Sequence, residues 1–312
     1  MGRVLASRFK IACLNSELLL LVHLLSFQMA WSEPFVSSPG PKIERQTIKF
    51  QGRSRSFYVF TPEGLNQNAS VPLVLLFHGS GHNGASLAEP WRELASREKF
   101  ALLAPDSENS TEWSPENDPP ELIRDMVMAV QRQTEIDPRR IYLFGHSAGA
   151  VYALYLSLFE SNYFAAVAVH AGALIGNDQS VIQNAARKIP IAIWIGTKDQ
   201  YFSLDVARTT RDELQREGFP VRLTEMPGVD HNYYVHSNKV NQQAWEFLKG
   251  QALPSLPTWN PFSANASQFR ILGTGSSPRL LPRCEGAPPF AVPSSAGRCI
   301  KNGEEVCRKW NH

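Results

Sequence analysis

Cysteine is scarce in this chain. Of its 312 residues only four are cysteine, and residues 14–283 contain none. A disulfide scaffold and a cysteine-ligated zinc site are therefore excluded for that long central part. Cys284, Cys299 and Cys307 near the end are not spaced as zinc ligands. In an oxidising compartment two of them could pair, but the sequence does not determine which two, and three free thiols are an equal alternative.

The chain also lacks an excess of charge of either sign. Lysine and arginine total 31 against 29 aspartates and glutamates, a net charge of +2, and the basic residues are dispersed. This distribution argues against a nucleic-acid partner or binding to an anionic membrane surface. A neutral small-molecule or polymeric substrate fits better, and the sequence contains no pattern that calls for a metal or another cofactor.

A long hydrophobic run is absent as well. The apolar run Leu18–Phe27 is well below the ~20 residues that span a bilayer. Small residues follow it at Ala30 and Ser32, and basic residues precede it, namely Arg3, Arg8 and Lys10. This arrangement predicts a signal peptide over residues 1–32 and a secreted or periplasmic protein without a membrane anchor after cleavage. An uncleaved anchor is the alternative.

Residues 43–250 alternate short aliphatic or β-branched runs with longer amphipathic stretches. This pattern predicts an α/β fold with a mostly parallel central sheet covered by helices on both faces. Gln46–Phe50 and Ser56–Phe60 are expected to open it as a hairpin. Pro72–Phe77 is apolar throughout, which is typical of a central strand buried on both faces. A later helix is expected to start at Pro90, because proline is tolerated in a first turn.

The composition changes after residue 250. Eight prolines fall within residues 251–312, and they interrupt any helix or strand of normal length. We therefore expect a proline-rich, cysteine-containing tail that is poorly ordered, with docking to a partner or to the cell surface as an alternative. The sequence does not determine the oligomeric state.

The strongest motif is Gly145-His-Ser-Ala-Gly149, which lies between the predicted strand Ile141–Phe144 and the predicted helix Ala148–Phe159. This is the strand-turn-helix context of the G-x-S-x-G nucleophile elbow, in which small residues on both sides let strand and helix pass closely. Ser147 is therefore the predicted nucleophile, placed at the positive end of a helix.

A serine hydroxyl needs a general base within about 3 Å. Among eight histidines, His231 is favoured because it lies in a glycine-containing loop just after the last predicted strand. His236, at the start of the next helix, is the alternative, whereas His170 is assigned a structural role.

The imidazole in turn needs a carboxylate to orient it. Asp199 directly follows the predicted strand Ile191–Ile195 and is preferred over Asp205, which lies in the next helix. The order Ser147, Asp199, His231 is that of α/β-hydrolases.

Acyl transfer also needs N–H donors aimed at the oxyanion. The N–H of Ala148 is the first candidate. The second comes from the early loop His78–Gly81 and is assigned to Ser80, with Gly79 as the alternative.

Three further side chains are assigned to substrate binding. Trp113 lies in the loop Asp106–Pro119, which is expected at the carboxyl edge of the sheet where ligands bind in such folds. Tyr201 follows Asp199, and His146 lies inside the elbow, directed away from the serine hydroxyl. Core or surface packing explains the two aromatic residues equally well.

Together these segments resemble the polyhydroxybutyrate depolymerase and feruloyl esterase branch of the α/β-hydrolases. The likeness covers roughly residues 43–250 and rests on Leu75–Gly81, Asp137–Gly149, Gly196–Asp199 and Gly228–His231. It implies a secreted esterase that acts on polyesters or phenolic esters without metal or cofactor.

The chain departs from that branch in two respects. Ala150 stands where the branch usually has a second glycine, and the predicted domain lacks the cysteines of many secreted members. A serine peptidase, an acyltransferase or a dienelactone-type hydrolase remains open, as does a catalytically silent binding protein that keeps the fold.

Overall fold

The computed structural model of the protein describes residues 42–65, 70–174 and 179–260, together with the short strand pair at 300–301 and 304–305. The predicted signal peptide, the three cysteines near the end and the tail from residue 261 lie outside the described residues, apart from the backbone of that strand pair. Within the described ranges, no helix is both long and apolar enough to cross a membrane.

Eight strands form the main sheet. They are β1 (Glu44–Phe50), β2 (Arg53–Phe60), β3 (Val71–Phe77), β4 (Ala101–Pro105), β5 (Ile136–His146), β6 (Ala166–His170), β7 (Ile191–Gly196) and β8 (Val221–Met226). The helices are α1 (Gly84–Glu98), α2 (Pro120–Gln131), α3 (Ala148–Phe159), α4 (Gln179–Asn184), α5 (Leu204–Arg216) and α6 (Tyr233–Leu248). Strands β9 (Ile300–Lys301) and β10 (Glu304–Glu305) pair antiparallel with each other.

The strand order in the main sheet is β1-β2-β4-β3-β5-β6-β7-β8. Strand β2 pairs antiparallel with β1 and β4, while the neighbours from β4 to β8 are all parallel. The predicted α/β fold is thereby confirmed. Parallel strands place all their carboxyl ends at one edge, which is where the loops after β3, β5, β7 and β8 meet.

The central strands β3, β4, β6 and β7 are buried on both faces of the sheet, whereas the edge strands β1 and β8 are partly exposed. Every residue of β3 is buried, as expected from its continuous apolar sequence. On one face, Trp245 of α6 stacks on Phe100 at 4.0 Å between ring centroids. On the other, Ile123 of α2 and Leu154 of α3 belong to a second apolar cluster that covers Leu143. The central strands are thus fixed by packing on both faces, which sets the positions from which their loops start.

Helix α1 begins earlier than expected. It starts at Gly84 rather than at Pro90, which lies inside the helix. The reason is a capping box: the Asn83 side chain accepts a hydrogen bond from the Ser86 amide at 2.9 Å, and the Ser86 hydroxyl accepts one from the Asn83 amide at 3.2 Å. These bonds satisfy two backbone donors that would otherwise lack partners at this end.

The packed chain continues past the predicted domain boundary at residue 250. Residues 251–260, here called the strap, return along the domain. Leu253 is buried, its amide donates to the Arg139 carbonyl, and the Arg139 side chain donates back to the Leu253 carbonyl at 2.7 Å. Trp259 packs edge-on against Tyr163 at 4.7 Å. The strap therefore belongs to the packed part of the chain, despite its two prolines.

Candidate active site

The turn between β5 and α3 holds Ser147 in an unusual backbone conformation. Its φ is 56° and its ψ is −120°, and the residue is the N-cap of α3. A positive φ is strained for a residue with a side chain, and such strain persists only where the surroundings enforce it. Here the Ser147 amide donates to the His170 carbonyl at 3.1 Å, which anchors the turn to β6.

Two glycines make this turn geometrically feasible. A Cβ on Gly145 would lie 2.3 Å from the Gly149 carbonyl oxygen, and one on Gly149 would lie 2.0 Å from the Phe77 carbonyl oxygen. Both distances are far below van der Waals contact with backbone that cannot move away. The motif therefore requires glycine at these two positions for steric reasons.

The departure from the family pattern at Ala150 is accommodated by a glycine elsewhere. A Cβ on Gly172, just after β6, would lie only 2.3 Å from the Ala150 methyl group. The methyl group thus occupies the space that Gly172 leaves open. Sequence reasoning missed Gly172, because the two positions are distant in sequence and only the fold brings them together.

Three side chains predicted from motif order lie within hydrogen-bonding distance. His231 Nε2 is 2.8 Å from Ser147 Oγ, and His231 Nδ1 is 2.8 Å from Asp199 Oδ2. The Asp199 side chain is fully buried and that of His231 is 13% exposed. The hydroxyl, imidazole and carboxylate therefore form a continuous hydrogen-bonded chain, in which Ser147 is 6% exposed.

Backbone donors fix the carboxylate. Asp199 Oδ1 accepts hydrogen bonds from the amides of Tyr201 and Phe202, both at 2.9 Å, which leaves Oδ2 for the imidazole. The alternative acid, Asp205, is 91% exposed and lies 3.6 Å from Arg208. The structure therefore brings Asp199, and not Asp205, to His231.

The two loops that carry Asp199 and His231 are joined directly. The Lys198 amide donates to the Val229 carbonyl at 2.9 Å, and the Gly228 amide donates to the Thr197 hydroxyl at 2.8 Å. A Cβ on Gly196 would lie 2.2 Å from the Val229 carbonyl oxygen, so only glycine allows this approach. Backbone contacts therefore set the separation between acid and base.

His146 is buried, and its ring packs against other aromatic rings. It is 5% exposed, its ring stacks on Tyr233 at 5.2 Å, and its Nδ1 lies 3.2 Å from His170 Nδ1. Burial lowers the pKa of His146 well below its ordinary value and that of His170 to about 4, so both rings are neutral near pH 7. His146 packs beside His231, with 5.1 Å between ring centroids, and its assignment to substrate binding stays a prediction.

The loop after β3 passes directly beside the serine. A Cβ on Gly79 would lie 3.3 Å from Ser147 Cβ and 3.1 Å from His146 Cδ2. The His82 amide donates to the Gly79 carbonyl at 3.2 Å, which closes a tight turn, and Gly81 has φ 76° as the third residue of such a turn requires. The candidate donors Gly79 and Ser80 are thus near Ser147, and Ala148 is the first residue of α3. Their part in an oxyanion hole remains a prediction.

Trp113 is half-buried and contacts this same loop. Its Nε1 donates to the His78 carbonyl at 2.9 Å, and its ring stacks on Tyr152 at 5.0 Å. Tyr201, by contrast, lies edge-on to the His231 ring at 4.6 Å. Tyr201 is therefore adjacent to the base. Trp113 packs on Tyr152 and, in addition, holds the His78 carbonyl by a hydrogen bond that the sequence does not indicate, while its place in a substrate pocket stays a prediction.

Sequence reasoning also missed the ion pair beneath the loop Asp106–Pro119. Arg55 and Asp118 are both almost fully buried, and Arg55 Nη2 bonds Asp118 Oδ1. Arg55 lies on the buried side of β2 together with Phe57 and Val59, but no sequence motif pairs it with residue 118. Among the described residues, no group of three or more histidine, cysteine, aspartate or glutamate side chains could hold a metal ion.

Known proteins share this architecture. A bifunctional acetylxylan esterase/xylanase from Neocallimastix patriciarum is 24% identical over 246 residues, covering 73% of this chain but only 32% of that protein. Among solved structures, a thermostable esterase has a TM-score of 0.56 at 23% identity, covering 67% of this chain and 63% of that one. A ferulic acid esterase from Anaeromyces mucronatus has a TM-score of 0.53 at 18% identity, with 69% and 92% covered.

The structural likenesses show a shared fold, and the chain spans about a third of the curated relative. The family assignment rests on a broader match. The family model described as "Alpha/beta hydrolase family" matches residues 73–283, which is more than half of the chain. That range contains the elbow, both loops that carry Asp199 and His231, and the turn after β3. The chain belongs to the alpha/beta hydrolase family.

Proposed function

We propose that this protein is a serine hydrolase that cleaves carboxylic esters through an acyl-enzyme on Ser147. The observation that carries the proposal is the pair of 2.8 Å separations that join Ser147 Oγ, the His231 imidazole and the Asp199 carboxylate. A protein that used this fold only as a scaffold would have no physical need for this arrangement at a strained turn.

In the first half of the reaction, His231 Nε2 takes the proton of Ser147 Oγ as the oxygen attacks the ester carbonyl. Asp199 holds the imidazole with Nδ1–H toward its own carboxylate and stabilises the imidazolium that forms. The carbonyl oxygen becomes an oxyanion, for which the N–H groups of Ala148 and of Ser80 or Gly79 are the candidate donors.

In the second half, the imidazolium gives its proton to the departing alcohol and leaves an acyl group on Ser147. Water then enters, His231 removes one of its protons, and the hydroxide equivalent attacks the acyl carbonyl. Collapse of the second tetrahedral intermediate returns the proton to Ser147 Oγ and releases the acid.

The substrate class is proposed from two sources. The relatives include proteins described as acetylxylan and ferulic acid esterases, and the aromatic ring of Tyr201 lies beside the base. Phenolic esters are therefore the first choice and polyesters such as polyhydroxybutyrate the second. Export through the signal peptide over residues 1–32 would bring the enzyme to such extracellular substrates.

The direct test is hydrolysis of a matched panel by the purified chain. Nitrophenyl acetate, methyl ferulate, polyhydroxybutyrate film and a peptide anilide would be compared for wild type and Ser147→Ala. We expect ester hydrolysis by wild type and a loss of about 10⁴-fold or more in the variant. Cleavage of the anilide in preference to every ester would indicate a peptidase, and a folded wild type inactive on the whole panel would refute the proposal.

A further inference from the structure

The turn after β3 is held peptide by peptide. The His78 carbonyl accepts the Trp113 indole N–H at 2.9 Å, the Gly79 carbonyl accepts the His82 amide at 3.2 Å and lies 2.9 Å from His78 Nδ1, and the Gly81 amide donates to the Ser110 carbonyl at 2.8 Å. Three consecutive peptide groups therefore each have a fixed partner, although the segment belongs to no helix or strand.

Two of these partners come from one segment, residues 106–119, which we call the clamp loop. It supplies the Trp113 indole and the Ser110 carbonyl. It also supplies the Ser107 amide, which donates to His78 Nε2 at 3.3 Å. That bond leaves the other ring nitrogen, Nδ1, to donate to the Gly79 carbonyl. The clamp loop thus contacts the 78–79 peptide directly and the 79–80 peptide through the His78 ring, and these two peptides contain the candidate donors Gly79 and Ser80.

The clamp loop is itself organised around one buried carboxylate. Asp118 accepts the amides of Glu108 at 2.8 Å and Ser114 at 3.1 Å, together with the guanidinium of Arg55. Arg55 also donates to the carbonyls of Asp106 and Asn117 near the two ends of the loop. A single ion pair between β2 and this loop therefore ties its beginning and end together.

We propose that Trp113 and the Arg55–Asp118 ion pair are positioning residues that aim the oxyanion donors of Gly79 and Ser80 at Ser147. The proposal rests on the proposed function. A peptide group is planar and trans, so fixing the His78 carbonyl also fixes the direction of the Gly79 N–H on the other side of the same plane. The Gly79 carbonyl likewise determines the direction of the Ser80 N–H.

Small errors in donor direction matter, because loss of one oxyanion donor costs about 10²–10³-fold in kcat. Trp113→Phe keeps an aromatic ring for stacking on Tyr152 but removes the N–H that holds the His78 carbonyl. The donor is displaced rather than deleted, so we expect a smaller loss of roughly tenfold in kcat. KM should change less than about twofold, because the clamp loop acts on the transition state rather than on ground-state binding.

The test compares Trp113→Phe with wild type and with Trp259→Phe as a matched control. The indole N–H of Trp259, on the strap, is buried and has no hydrogen-bond partner among the described residues. Active sites are counted by stoichiometric labelling with a fluorophosphonate, and kcat on nitrophenyl acetate is expressed per labelled site. The affinity for phenylboronic acid, whose tetrahedral adduct places an oxygen in the oxyanion position, is measured in parallel.

We expect kcat and boronate affinity to fall together in Trp113→Phe, with both unchanged in Trp259→Phe. A merely structural role would lower the fraction of labelled sites and leave kcat per site and boronate affinity as in wild type, which would overturn the inference. If Trp113→Phe does not fold, Asp118→Asn is measured instead: a several-fold fall in both supports the inference, and none refutes it. If wild type neither hydrolyses the ester nor reacts with the fluorophosphonate, the proposed function has failed.

Discussion

The two sides of the site are built by different means. The elbow around Ser147 is made by consecutive residues, and its geometry follows from backbone contacts at Gly145 and Gly149. The clamp loop is held in place by side chains far apart in sequence, since Arg55 and Asp118 are separated by 63 positions. Local steric requirements leave a motif in the sequence, whereas a non-local hydrogen-bond network leaves none. Substitutions on each side test whether the elbow depends on local backbone contacts and the clamp loop on distant side chains.

The largest effect is expected at the elbow. Gly149→Ala would place a methyl group 2.0 Å from the Phe77 carbonyl oxygen, and neither β3 nor α3 can move away. We expect destabilisation by more than about 4 kcal/mol or no soluble protein at all. Gly250→Ala is the control, because its Cβ would meet only the Phe247 carbonyl oxygen at 3.8 Å. The melting temperatures of both variants are compared with that of wild type by thermal unfolding. A wild-type melting curve for Gly149→Ala would contradict the account of the elbow.

A smaller but still large effect is expected beneath the clamp loop. Arg55→Met would leave the buried Asp118 carboxylate without its cation, and breaking such a pair costs about 3 kcal/mol or more. Arg53→Met removes a neighbouring arginine of β2 that is 64% exposed and pairs with Glu108. That pair is worth less than about 1 kcal/mol. The free energies of unfolding of the two variants, measured in urea, should differ by at least about 2 kcal/mol. Equal losses would show that the buried pair stabilises the fold no more than the exposed pair does.

The strap gives a third, smaller effect that depends on pH. Burial raises the pKa of Glu160 to about 8, and its carboxyl accepts the Asn260 amide at 3.0 Å. The folded protein therefore keeps on Glu160 a proton that the unfolded chain releases near pH 4.5. Because of this difference, the free energy of unfolding falls as the pH rises from about 4.5 to 8. Glu160→Gln lacks that loss, and we expect it to exceed wild type by on the order of 2 kcal/mol at pH 8 and to approach it at pH 5.

Urea unfolding at several pH values between 5 and 8 measures this difference. Subtraction of the two curves removes contributions common to both proteins, including those of the buried histidines, which destabilise the fold as pH falls below about 6.5. Parallel curves for wild type and Glu160→Gln would mean that the carboxyl titrates normally and that the strap is not held by its neutral form.

Features that depend on local patterns could be predicted from the sequence, whereas features that depend on distant contacts could not. The α/β fold followed from the periodicity, and Ser147, Asp199 and His231 were selected by their positions after predicted strands, because parallel strands deliver such residues to one edge. Pro90 predicts a helix start at that residue, whereas the capping pattern of Asn83 and Ser86 starts α1 at Gly84. The capping pattern is therefore visible in the sequence, but Pro90 is the more conspicuous feature.

Other features could not be predicted from local patterns. The strap was expected to be a loose linker because of its prolines, but Leu253 is buried against β5 by contacts with distant residues. No local pattern reveals that the Trp113 indole N–H bonds the His78 carbonyl. Likewise, nothing near Ala150 in the sequence reveals that Gly172 makes room for its methyl group. In each case the partner is determined by the tertiary fold.

The central claim is that His231, held by Asp199, makes the Ser147 hydroxyl nucleophilic. The most direct measurement is the rate and position of fluorophosphonate modification, followed by mass spectrometry, in wild type, His231→Ala and His236→Ala. The account predicts one adduct on Ser147, a labelling rate reduced by about 10³-fold or more in His231→Ala, and a rate near that of wild type in His236→Ala. Rapid labelling of His231→Ala, or an adduct on another residue, would contradict it.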